Sequence, residues 1–133
     1  METSKEAIRK GIIRKAGEWT GTRYQFGGGS NQGIDCSHFV YEVFKAEVDP
    51  EMVYAATSGL LTSTAFADVL MPQTGDLVFW PGHVAIVVDG PGGNFIGAQT
   101  STGVAQASFT KGYWAGQYGG KKPTKFRRSI KLM

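Results

Sequence analysis

Ile8, Ile12, Ile13 and Ala16 recur at helical spacing with Lys and Arg opposite, so the chain opens on an amphipathic helix. Thr3-Ser4-Lys5-Glu6 supplies a capping box for its start, and the helix ends before Gly21. Residues 21–34, GTRYQFGGGSNQGI, read as a loop. Phe39, Val40, Val43 and Phe44 then form the apolar side of a second helix over residues 36–46, with Asp35 as its N-cap. A third helix is expected over residues 57–70, capped by Thr57 or Ser58 and stopped by Pro72. Its apolar surface comes from Leu60, Leu61, Phe66, Val69 and Leu70.

The texture changes after Pro72. GDLVFW (75–80), HVAIVVD (83–89), NFIGAQT (94–100) and GVAQASF (103–109) are short β-rich runs separated by Gly- and Pro-containing turns. The closing TKFRRSIKL is a fifth candidate strand. Helices first and a meander second predict an α+β fold: N-terminal helices packed on an antiparallel sheet of about five strands. With no repeat or linker, residues 1–133 read as a single domain.

Charge changes this picture only at one end. Residues 121–133, KKPTKFRRSIKLM, carry six Lys or Arg and no acid, while the whole chain is +3, so the rest is net acidic. With Phe126 and Ile130 available for burial, the segment is expected to be a lysine-protected edge strand, not a nucleic-acid tail. The N-terminus has charges throughout and lacks the apolar core of a secretory signal. No apolar run approaches the ~18 residues of a membrane span. Work outside the cytoplasm would therefore need specialised export.

Cys36 is the single cysteine, so an intramolecular disulfide is excluded. It stands in the first turn of the second helix, where unpaired backbone N–H groups favour a thiolate and can hold an oxyanion. Position alone leaves it either a nucleophile or a small buried hydrophobe. His38 projects about 200° away around a helix, so it is expected on the opposite side, neither chelating a metal with Cys36 nor acting as its base. His83 opens the strand HVAIVVD after a Pro-Gly turn, where a helix laid across the sheet can bring thiol and imidazole together. Gln99 or Asn94, on the next strand, could orient that imidazole.

The ordered set GTRYQFGGGSNQGIDCSHFVYEVF, TGDLVFW, HVAIVVDG, FIGAQ, YW and a final RR resembles the NlpC/P60 peptidases over residues 20–128. These are papain-like cysteine peptidases that cut bacterial cell-wall peptides. The resemblance implies Cys36 as nucleophile, His83 as base and then acid, Tyr24 near the oxyanion, and Asp35 and Ser37 lining the substrate cleft. The family's third catalytic position aligns with Gly97, so Gln99, two residues on, is the expected substitute. The alternative is a backbone carbonyl behind His83. Arg23 replaces a family proline, and His38 replaces a family glycine, adding a bulky side chain and a substrate contact near the cleft. The implied substrate is the peptidoglycan stem peptide, cut at D-Glu–diaminopimelate or at the crosslink, with no cofactor and no metal.

A small catalytic domain of this kind also resembles the antibacterial amidase effectors of type VI secretion. That implies a cognate immunity protein blocking the cleft and action in the periplasm of a target cell. Other readings are a papain-like hydrolase or acyltransferase acting on another amide or ester, and a non-catalytic wall- or nucleic-acid-binding module.

Overall fold

The computed structural model describes residues 3–133. Helix α1 runs Ser4–Glu18, with Thr3 Oγ1 accepting from the Glu6 N–H at 3.0 Å, and α2 runs Cys36–Glu47 behind its Asp35 cap. Between them, Gly29–Ser30 (β1) and Gly33–Ile34 (β2) pair as a small hairpin. A short α3, Thr57–Thr62, precedes the main sheet.

The main sheet has six strands: Phe66–Val69 (β3), Leu77–Trp80 (β4), His83–Asp89 (β5), Asn94–Gln99 (β6), Gly103–Ser108 (β7) and Lys125–Ser129 (β8). Its order is β3-β8-β4-β5-β6-β7, and every pairing is antiparallel. Helices α1 and α2 pack on each other, and α2 lies against β5 and β6. Ile12, Phe39, Val40 and Phe44 bury with Leu77, Phe79, Val84 and Ile86 on that face. Val78, Trp80, Ala85, Val87 and Phe95 point the other way into a second cluster with Trp114 and Phe126. Covering both faces explains why β4 and the start of β5 read as continuous apolar runs instead of alternating ones.

Two expectations change. The helix expected over residues 57–70 stops at Thr62, and Phe66–Val69 is a strand. Its apolar residues were compatible with either period; pairing with β8 decides, and Arg127 fastens the turn by donating to the Leu60, Ser63 and Phe66 carbonyls. The basic closing segment is also not an edge. It inserts between β3 and β4, so β3 becomes the edge and supplies the sixth strand. Most of its charge meets carboxylates of the same chain: Lys125 and Arg127 face Asp68, Arg128 faces the buried Asp76, and Lys131 faces Asp49.

Candidate active site

Cys36 is the first residue of α2 and is buried to within 8% of its surface. Its Sγ lies 3.5 Å from Thr57 Oγ1 on α3. The cleft it lines has a volume of about 410 Å³ and is walled also by Tyr24, Phe26, Tyr54 and Gly82. Gly82 belongs to the two-residue turn joining β4 to β5, so the β5 hairpin tip carrying His83 forms the rim facing the helix tip.

The imidazole is held from three sides. His83 Nε2 donates to Gln99 Oε1 at 3.2 Å, and Gln99 Nε2 donates to the Ala105 carbonyl at 3.3 Å, which fixes the amide's orientation. Nδ1 is thereby left as the basic ring nitrogen. The Trp114 ring stacks on the imidazole at 4.7 Å, and Trp80 closes a second side at 5.3 Å. Trp80 Nε1 in turn donates to the Trp114 carbonyl at 2.8 Å. Burial pushes the imidazole down to about 4; the Gln99 bond opposes this, and the Lys121 charge adds to it. In this conformation the thiol's hydrogen bond goes to Thr57 and the imidazole's to Gln99.

Gly97 and Gln99 share a strand face, and their identities are linked. A Cβ at Gly97 would lie 2.5 Å from Gln99 Oε1 and 2.7 Å from Ala85 Cβ. Only a residue with no side chain there leaves room for the Gln99 carbonyl beside His83. Asn94, at the opposite end of β6, pairs with Asp89 and Ser108 and is exposed.

Tyr24 is placed by a bridge to Ile34, just before the Asp35–Cys36 step. Burial pushes its phenol up, and the neighbouring Cys36 and Asp35 charges push it further. Arg23, beside it, braces the loop by donating Nε to the Gln32 carbonyl at 2.7 Å. Asp35 and Ser37 both line the cleft. His38 departs from the expectation drawn from helix geometry. It is not on the far side of the helix but in the cleft, with Nδ1 2.8 Å from Asp35 Oδ1. It is the third residue after the cap, and a side chain there reaches back toward the cap instead of projecting radially.

The NlpC/P60 family model matches residues 21–123. The chain belongs to the NlpC/P60 family. It is 31% identical over 117 residues to the murein DD-endopeptidase MepS/murein LD-carboxypeptidase of Escherichia coli (strain K12), covering 84% of this chain and 60% of that protein. It is 32% identical over 112 residues to the probable endopeptidase NlpC homolog of Haemophilus influenzae, covering 82% of this chain and 59% of the relative. The chain thus spans about 60% of the length of these curated relatives. The NlpC/p60 domain of the peptidoglycan hydrolase SagA superimposes with a TM-score of 0.69 at 29% identity, covering 92% of this chain and 98% of that one.

Within this NlpC/P60 fold, three residues at the site escaped the sequence reading. Trp114 was visible only as part of a YW match, Thr57 only as a helix cap, and Tyr54 not at all. Each reaches the site from an irregular segment or a short helix, where periodicity carries no signal. Among the described residues no group of three His, Cys, Asp or Glu could hold a metal ion, and no helix is long and apolar enough to cross a membrane.

Proposed function

We propose that this NlpC/P60 chain is a cysteine peptidase that hydrolyses an amide bond in the peptidoglycan stem peptide, either D-Glu–diaminopimelate or the crosslink. The observation carrying this reading is His83, buried next to the cleft-lining Gly82, with Nε2 tied to Gln99 and Nδ1 left basic, while Cys36 lines the same cleft from a helix tip. The thiol turns from Thr57 toward the imidazole, and Cys36 Sγ attacks the carbonyl carbon as its proton passes to Nδ1. Tyr24 and the N–H groups opening α2 hold the resulting oxyanion. The C–N bond breaks as the imidazolium returns the proton to the leaving amine, leaving a thioester. Water, deprotonated by the same imidazole, then releases a carboxylate and the free thiol. Gln99 keeps the ring in the required tautomer throughout.

Mass spectrometry of muropeptides from digested wall identifies the bond. Stems shortened to end at D-Glu support the first choice, and conversion of dimers to monomers with full-length stems supports the crosslink. Intact muropeptides after prolonged incubation would sink the peptidase reading.

A buried imidazole near 4 is neutral at neutral pH and free to accept a proton. The base works only when unprotonated, so kcat/KM should fall on the acid side near pH 4. Trp114→Ala should hydrate the ring, remove the main cause of the depression and move that limb up toward the ordinary imidazole value of about 6.5. A pH–rate profile checks this: a variant that loses rate with its acid limb unmoved has lost only structure.

We infer further that the enzyme reaches its wall by specialised export, as an antibacterial type VI secretion effector does, and that an immunity protein occludes the cleft. Phe26, 89% exposed at the cleft, supplies apolar surface for such a blocker. Targeting the chain to the periplasm of a susceptible strain should lyse it, while cytoplasmic expression should not. Equal toxicity in both compartments would contradict the wall as target.

A further inference from the structure

Beside the thiol, the first turn of α2 closes into a hydrogen-bonded circuit. Asp35 Oδ1 accepts from the His38 N–H at 2.9 Å, from His38 Nδ1 at 2.8 Å and from Ser37 Oγ at 3.2 Å. Oδ2 accepts from the Gly27 N–H at 2.9 Å. Ser37 Oγ and the Tyr54 hydroxyl share a 2.8 Å bond, and the Tyr54 ring stacks on the His38 imidazole at 4.1 Å with planes 20° apart. The other neighbour of the ring is Gly29, where a Cβ would come within 2.9 Å of His38 Cδ2. The imidazole therefore lies in a slot made by Tyr54 and a bare glycine.

Each carboxylate oxygen offers about two acceptor positions, and three internal donors already crowd Oδ1 of Asp35, while Oδ2 holds the Gly27 N–H. Burial opposes its charge, but the bonds from His38 and Gly27 outweigh that and hold the carboxyl below its usual range. An ionised carboxylate in a peptide cleft, one residue from the nucleophile, is a strong acceptor for a peptide's α-ammonium. To reach Oδ1 the ammonium would first have to expel the His38 ring from its bond and its stack. An acylated amino terminus has no charge to place there and loses nothing.

We propose that His38 determines specificity by occupying Asp35, so that the cleft selects peptides with an acylated amino terminus, as in a stem still joined to its glycan, over peptides with a free one. This rests on the peptidase reading above and deepens it to a substrate class.

The probes are L-Ala-γ-D-Glu-diaminopimelate tripeptide and its N-acetyl form, compared by kcat/KM and by calorimetric binding to protein carrying Cys36→Ala. The wild-type chain should favour the acetylated peptide. His38→Gly should raise the free-amine to acetyl ratio by about tenfold or more, the worth of a charge-assisted hydrogen bond. Gly29→Ala should shift it the same way, because its new methyl pushes the ring off Asp35 without touching the carboxylate. His38→Gln, which keeps a donor toward Asp35, should stay near wild type. Circular dichroism verifies the fold of each variant. An unchanged ratio in both His38→Gly and Gly29→Ala, or a wild-type preference for the free amine, overturns the proposal. A chain that cleaves neither probe nor intact wall fails the peptidase reading instead, and the binding ratio still decides the role of His38.

Discussion

Cys36→Ala should abolish the release of new amines from intact wall, a loss of at least about 10⁴-fold, while the protein stays folded. The size follows from the chemistry. With the sulfur gone, no covalent acyl intermediate forms, and His83 can at best activate a water in a cleft shaped around the thiol. The cost to stability should be small, because the change deletes one atom at a partly open cleft wall whose Sγ contact to Thr57 Oγ1 is a long 3.5 Å. Amine release per mole of enzyme and a thermal melt measure the two halves. Lysis undiminished in Cys36→Ala would remove the thiol from the mechanism.

Asp76→Ala should destabilise the fold by about 3–5 kcal/mol, the typical result of stripping one partner from a buried ion pair. Asp76 is fully buried where the chain enters β4. Its Oδ1 accepts from Arg128 Nε at 2.9 Å and Arg9 Nη1 at 3.4 Å, and its Oδ2 from Arg128 Nη2 at 2.8 Å and the Gln73 N–H at 2.7 Å. One carboxylate thus ties α1, β8 and the turn before β4. Truncation leaves two guanidinium groups, each mostly buried, without their counter-charge. The urea midpoint should drop with an unchanged slope. A loss of less than about 1 kcal/mol would mean that the arginines find solvent or other carbonyls, and that the cluster is a weak surface pair.

The two aspartates of the sequence motifs show how legibility varies. Asp35 was readable as a helix cap because capping is local: the side chain bonds N–H groups a few residues ahead. Asp76, in GDLVFW, carried no local signal. Its partners are Arg9 and Arg128, near opposite ends of the chain, and nothing in the spacing of charges announces such a cluster. The closing strand was misplaced for the same reason. TKFRRSIKL reads correctly as a strand, but its rank in the sheet depends on which neighbour's acids its arginines meet.

At the site, the division runs between backbone position and side-chain company. Hydrophobic period, capping and turn residues placed Cys36 at a helix tip and His83 at a hairpin rim, because those signals act within a few residues and each element's backbone hydrogen bonds are local. The order of motifs was enough to indicate the family. Tertiary structure decided what touches these residues: it took Gln99 over Asn94 for the imidazole, through the space left by Gly97, and it stacked Trp114 over the ring, set Thr57 against the thiol and folded His38 onto Asp35. Apart from His38 on Asp35, those contacts join segments well separated along the chain. Their energy depends on distances of tenths of an ångström and on burial, and a one-dimensional pattern encodes neither until the chain has packed.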